Sequence, residues 1–320
     1  MIRKKTVFIL GAGSSVPYGY PTAPELRRDI ISKFKSKFKN YFAEFYSDKV
    51  DFNMRFEPFK EMIYYFDKSS IQSIDLFLSR NKKFDQLGKF ITVLMLLNNE
   101  RESKFRENMD DPKLDWYTAI YNELTNEIIN DNQLELFKEN DVCFITFNYD
   151  RSLEHFLYES FSNSFTSKVD DIANLLNEHL KIIHIYGKLA DLEWQSDKGI
   201  PYGSDIAFRG IQDCMNNINL MFDTRKEISE EISNLLFEAN EIYFLGFGYY
   251  IGNLTSLSIP NVLADGRNIL NIYGTALGQT EVQRYRTIDK IRKDSIPVNM
   301  FKIIDSDSLG LIKEYLLEDL

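Results

Sequence analysis

The chain has 320 residues, 44% hydrophobic and 27% charged, a balance that supports a sizeable buried core and excludes a disordered or membrane-embedded protein. Its formal net charge of −10 argues against a protein that coats nucleic acid, so direct nucleic-acid binding is disfavoured. Cys143 and Cys214 provide neither a disulfide framework nor a four-Cys zinc site, which points to the reducing cytoplasm and to a chain without a metal.

The basic start, Met1 to Lys5, precedes the apolar run Thr6 to Leu10. That run stops at Gly11, short of a secretory h-region, and reads as a buried parallel strand. The stretch from about Glu25 to Glu139 is rich in Phe, Tyr, Lys and Glu at helical spacing and contains no convincing strand, so it reads as a helical insertion. Within it, Lys33 to Lys39 alternates Lys with Phe34 and Phe38, as expected of a solvated helix face with two buried rings. Phe90 to Leu97 is the longest apolar run and falls short of a membrane span. Further strands are expected at Val142–Phe147, Ile182–Tyr186, Ile242–Leu245, Ile269–Tyr273 and Val298–Ile304. Ile228, Ile232, Leu235, Leu236 and Ala239 form one helical stripe directly before the fourth of the six strands. Strand and helix alternation predicts an α/β, Rossmann-like, doubly wound and mainly parallel sheet. The expected organisation is a single domain over 1–320 with a helical insertion at about 25–140.

The first strand ends in Gly11-Ala12-Gly13-Ser14-Ser15. Glycines there let the backbone approach a pyrophosphate, because no Cβ stands in the way. A dehydrogenase fingerprint would have a third Gly where Val16 stands, and an acidic ribose ligand on a second strand about 20 residues later. Asp29 comes too early and lies in a helical pattern. Thr22-Ala23-Pro24-Glu25 reads as a capping box, so a loop from Gly13 to Pro21 is expected between strand and helix.

This extended loop, with Gly19-Tyr20-Pro21-Thr22 at its end, resembles the Gly-Ala-Gly-x-Ser and Gly-x-Pro loop of the sirtuin family. Phe147-Asn148-Tyr149-Asp150 is similar to the sirtuin element carrying an Asn and an Asp two residues apart. The resemblance implies that Asn148 holds water or the nicotinamide ribose and that Asp150 helps to fix the nicotinamide pocket. Read from the residues alone, Asp150 serves equally as a cap for the helix that follows. Lys181 to Leu189 is similar to the strand ending in the sirtuin catalytic His-Gly, but Tyr186 stands before Gly187 and His184 lies two residues earlier. Alternation along a strand would put His184 and Tyr186 on one face, and His184 is the better general base at neutral pH. His184 is equally readable as a hydrogen-bonded strand residue; His155 and His179 sit in helical patterns. Gly246-Phe247-Gly248 matches a turn at the adenosine side of NAD, and Ile272 to Thr275 looks like the sirtuin-like bacterial defence proteins.

The resemblance implies the zinc-free prokaryotic branch, and the absent four-Cys module disfavours deacetylation. It implies an NAD glycohydrolase that takes NAD as substrate, releases nicotinamide and ADP-ribose, and serves as an antiphage effector. Its expected catalytic residues are Asn148, His184 and Asp150. Gly11, Ala12, Gly13, Ser14, Ser15, Gly19, Pro21, Thr22, Phe147, Tyr186, Gly187, Gly246, Phe247 and Gly248 would hold the dinucleotide. The alternative is a catalytically silent subunit that binds NAD or ADP-ribose within a larger defence complex. A homo-oligomer or a partner defence subunit, without a membrane, is the expected assembly.

Overall fold

The computed structural model describes residues 1–45, 52–101, 115–167, 169–204, 208–219, 226–265, 269, 271–292 and 296–317. Its sheet is built from β1 (Thr6–Leu10), β2 (Val142–Thr146), β3 (Lys181–His184), β4 (Glu241–Leu245), β5 (Asn271–Thr275) and β6 (Phe301–Ile304). All pairings are parallel, in the order β3-β2-β1-β4-β5-β6. Of the four inner strands, β1, β2 and β4 are buried at every position and β5 at all but its first, as near-continuous apolar strands covered on both faces must be. β3 forms one edge and is only partly covered.

The expected strands are present with trimmed ends. β3 stops at His184 because the backbone turns there, Gly187 N–H donating to His184 O at 3.1 Å. Val298–Met300 is a 3-10 turn after Pro297, so β6 begins later than the apolar run suggests. Leu270, inside the expected fifth strand, lies outside the described residues.

The register aligns His184, Thr146, Leu10, Leu245, Thr275 and Ile304 in one row at the carboxyl edge of the sheet. The chain therefore leaves every strand at the same level. Between β1 and β4 the winding reverses, and the loops diverge to leave a crevice.

After β1 come α1 (Ala12–Ser15) and a 3-10 turn at Val16–Tyr18, then the helical insertion: α2 (Ala23–Phe45), α3 (Phe52–Lys68), α4 (Ile74–Arg80), α5 (Asp85–Arg101) and α6 (Trp116–Thr125). The expected open loop from Gly13 to Pro21 is thus wound into short helical turns. Ser14 Oγ donates to Gly11 O at 2.8 Å to hold the first turn, and Gly19 (φ 89°) ends the second. Insertion helices pack through aromatic rings: Phe34, Phe38, Phe56, Phe59 and Phe90 lie with centroids 5.0–6.3 Å apart. This explains the Phe-rich composition, and Phe34 and Phe38 are buried as expected while Lys35 and Lys39 are exposed.

The remaining helices are α7 (Ser152–Ser164), α8 (Val169–His179), α9 (Phe208–Asn217), α10 (Lys226–Glu238), α11 (Ile251–Ser256), α12 (Asn261–Asp265), α13 (Glu281–Ile291) and α14 (Ser308–Tyr315). The stripe expected before β4 is the buried face of α10, with Ile232 and Leu236 fully enclosed. No described helix is long and apolar enough to cross a membrane.

Candidate active site

A cavity of about 830 Å³ opens over the switch point, within the range of small-molecule sites. Its floor is backbone: Gly11, Ala12 and Gly13 from one side and Gly246, Phe247 and Gly248 from the other. The two turns touch, Gly11 N–H donating to Leu245 O and Gly13 N–H to Gly246 O, both at 3.0 Å. Gly246 has φ +57°, and a Cβ there would lie 1.9 Å from Ser14 N, so this contact requires glycine. Thr275 Oγ1 fixes the second turn by accepting the Gly246 N–H at 2.8 Å.

The first turn is stapled from below and from the insertion. Asn148 Nδ2 donates to Gly11 O at 3.1 Å and to Ser15 Oγ at 2.9 Å. Trp116 Nε1 donates to Ser14 O at 2.8 Å. Tyr18 stacks on Tyr117 with centroids 3.6 Å apart, which ties the loop to the start of α6. Thr22 N–H and Oγ1 both donate to Glu25 Oε2, at 2.9 and 2.7 Å, so Glu25 reaches back as the capping pattern predicts.

Of the residues singled out from sequence, Gly11, Ala12, Gly13, Thr22, Phe147, Asn148, Tyr186, Gly246, Phe247 and Gly248 line this cavity. Ser14 and Ser15 lie beneath it and hold the turn. Gly19 and Pro21 face a separate outer groove with Arg28 and Lys33. Gly187 (φ +77°) makes the turn after β3, where a Cβ would lie 2.0 Å from Asn217 O.

His184 and Tyr186 do not share a face, because the strand ends between them. Both ring nitrogens of His184 are engaged, Nδ1 with Asn148 O at 2.9 Å and Nε2 with Glu154 Oε1 at 2.8 Å. Burial pushes the Glu154 carboxyl up, but the charges of His184 and Lys188 and the His184 hydrogen bond outweigh it and hold it below the usual range. His184 therefore braces the backbone of Asn148 from behind the cavity wall. Tyr186 faces the cavity, its hydroxyl 3.1 Å from Ser256 Oγ, and burial raises its pKa.

Asp150 is buried behind the wall, accepting the Ser152 N–H at 3.2 Å at the entry to α7. Burial raises its pKa against the hydrogen bonds from Ser152 and Ser15. Next to it, Arg151 is fully enclosed, paired with Glu100 of α5 at 2.8 Å and donating to the carbonyls of Asp191, Ile200 and Pro201.

No protein-family model matches the sequence, and no curated protein matches it. Solved sirtuin structures are similar to it, among them the following three. One is Sir2 with the inhibitor EX-527, 2'-O-acetyl-ADP-ribose and a deacetylated p53 peptide, at 13% identity and TM-score 0.40 over 97% of this chain and 91% of that one. Another is Sir2Tm bound to a propionylated peptide, at 14% identity and TM-score 0.37 over 97% and 90%. The third is a His-to-Tyr mutant of Sir2 with a p53 peptide and NAD, at 14% identity and TM-score 0.39 over 97% and 92%. The similarity is distant and runs along nearly the whole chain.

Several lining residues escape the sequence reading. Asp75 and Ser73 come from α4 and its cap, inside the insertion, where Ser-x-Asp reads as an ordinary helix start. Asn253, Gln279 and Ser306 to Ser308 follow β4, β5 and β6. Their signal was available, since polar residues just beyond a parallel strand lie where such sheets take ligands. Asn253 Oδ1 is buried with no hydrogen-bond partner among the described residues, which leaves an acceptor for a bound donor.

Proposed function

We propose that this chain binds NAD in the switch-point cavity and hydrolyses its nicotinamide–ribose bond, releasing nicotinamide and ADP-ribose. The observation that carries this reading is the meeting, in one cavity, of the Gly11–Gly13 turn, the Gly246 turn and the Asn148 amide. The fit to a dinucleotide rests on two features. Gly11, Gly13 and Gly246 let two backbone turns meet at the cavity floor, where a Cβ on any of them would strike the facing turn, and Asn253 Oδ1 lacks the donor that a ribose hydroxyl or the carboxamide would supply.

Bond cleavage passes through an oxocarbenium-like state, with the bonding pair leaving on the ring nitrogen of neutral nicotinamide. The leaving group starts cationic and needs no acid. The site must orient the ribose, stabilise positive charge at its anomeric carbon and hold a water. Asn148 spends its Nδ2 hydrogens on Gly11 O and Ser15 Oγ, so its Oδ1 is the atom turned to ligand or water. His184 locks the Asn148 backbone, and Asp150 orders the turn that follows.

A second reading is favoured by one specific feature: Tyr186 reaches the cavity in the place where the resemblance expects His, and His184 has both nitrogens committed. On that reading the chain is a silent NAD or ADP-ribose binder. Incubation of the purified protein with NAD, with nicotinamide quantified by chromatography, separates the two. Tight NAD binding without release leaves only the binder. Service as a cytoplasmic antiphage effector, as a homo-oligomer or with a partner subunit, follows the sirtuin-like motifs and is tested by phage challenge of expressing cells and by solution mass.

A further inference from the structure

We propose that Asp75, from the helical insertion, is the carboxylate that works on the nicotinamide-ribose end of the bound dinucleotide, positioned by Tyr149. This rests on the NAD-cleaving reading of the same cavity and names the group that reading otherwise lacks.

The titratable lining residues among those described are Asp75, Tyr186, Tyr250 and Asp307. Asp307 caps α14 beyond β6, on the far side of the sheet from Asn148, with its Oδ1 on Gly310 N–H at 2.7 Å. Asp75 is the lining carboxylate on the Asn148 and Tyr186 side. It opens to the cavity while the surrounding protein desolvates it, and burial raises its pKa against hydrogen bonds from Tyr149 and Ser73. An acid at the first turn of a helix is ordinarily a solvated partner of the helix dipole. Asp75 instead meets a buried hydroxyl.

That hydroxyl is oversubscribed. Tyr149 Oη lies 2.7 Å from Asp75 Oδ1 and 2.8 Å from Asn219 O, and both atoms accept. One proton serves two acceptors, and the other donors to the Asp75 carboxylate are its own backbone N–H and Ser73, so of its about four acceptor sites one is shared and one is left for a cation or a water. Asn219 is itself pinned, its N–H donating to Tyr186 O at 2.7 Å. Tyr149, next to Asn148, thus links its own segment to α4 and, through Asn219, to the turn after β3.

In the reaction, water adds to the anomeric carbon as the bond to nicotinamide breaks, and the proton lost by water passes to the Asp75 carboxylate and then to solvent. Before cleavage the same carboxylate faces the cationic pyridinium. The titratable groups facing it are Tyr149 from the β2–α7 connection and Tyr186 beyond β3.

The test compares wild type with Asp75→Asn and Tyr149→Phe, measuring nicotinamide release across pH, calorimetric binding of NAD and of ADP-ribose, and melting temperature. Asp75→Asn is expected to lower release at least about 100-fold, the usual scale of acid–base assistance. ADP-ribose affinity should stay within about threefold, while NAD, which carries the cationic ring, should bind about tenfold more weakly. The melting temperature should hold or rise at neutral pH: a carboxyl raised by folding loses stability as pH climbs past its unfolded value, and the amide removes that loss. Tyr149→Phe removes a donor to the ionised form and should move the acid limb of the rate profile to higher pH. Release from Asp75→Asn within threefold of wild type overturns the assignment and leaves the NAD-cleaving reading intact. Wild type without release overturns that reading, and binding then decides: selective loss of NAD over ADP-ribose supports the placement of Asp75, and equal NAD affinity overturns it. If Asp75→Asn does not fold, an unshifted acid limb in Tyr149→Phe overturns it.

Discussion

Gly246→Ala and Gly248→Ala test the cradle within one Gly-Phe-Gly motif. At Gly246 the backbone has φ +57°, a region costing an L-residue about 1–2 kcal/mol, and the new Cβ would lie 1.9 Å from Ser14 N and 2.3 Å from Gly13 C. Both neighbours are backbone, so relief requires the first turn to lift, and overpacking of this kind costs about 1–3 kcal/mol more. The sum is about 2–5 kcal/mol against a total stability of about 5–15 kcal/mol. At Gly248 a Cβ meets nothing within 4 Å, and the substitution should cost less than about 0.5 kcal/mol. Urea unfolding of both variants measures the difference directly, and calorimetric NAD titration of the folded fraction should show at least tenfold weaker binding for Gly246→Ala alone. Equal stability and equal NAD affinity for the two variants would refute the close-approach argument.

Asn253→Ala should leave the free protein as stable as wild type or about 1 kcal/mol more so, because it removes an orphaned buried acceptor, while NAD affinity falls about tenfold in calorimetry. Glu154→Gln should flatten the acid limb of stability. The folded-state pKa of Glu154 is held down, so its contribution is complete above the unfolded value and disappears as pH falls through the folded one, which melting temperatures from pH 7 to 2 will register. Arg151→Met should cost about 3–5 kcal/mol in urea unfolding by stranding Glu100 in the interior, and replacing Glu100 by Leu as well should recover most of it.

The resemblance read from the motifs reached the Asn148 segment and the Gly11 turn, and the tertiary structure changed the meaning of their neighbours. His184 was the natural base on chemical grounds. Strand alternation placed it beside Tyr186, but the turn closed by Gly187 ends that alternation and sends the two side chains to α7 and α11. Asp150 was readable both as a ligand residue and as a cap, and it bonds at the start of α7 behind the wall.

The sequence by itself determined the strands, their parallel winding and the glycine turns, because these follow from local rules: uninterrupted apolar runs between amphipathic helices, and backbone positions that tolerate no Cβ. It also determined that the insertion is helical and aromatic. Only the tertiary structure decided where the insertion meets the cavity. Asp75 lies 73 residues before Asn148 in the chain, and no periodicity links them. They reach one cavity because the start of α4 lines it opposite the strand ends and Tyr149, adjacent to Asn148, bonds to Asp75. Side-chain direction at strand ends and contacts between distant segments are set by packing, which local spacing does not encode.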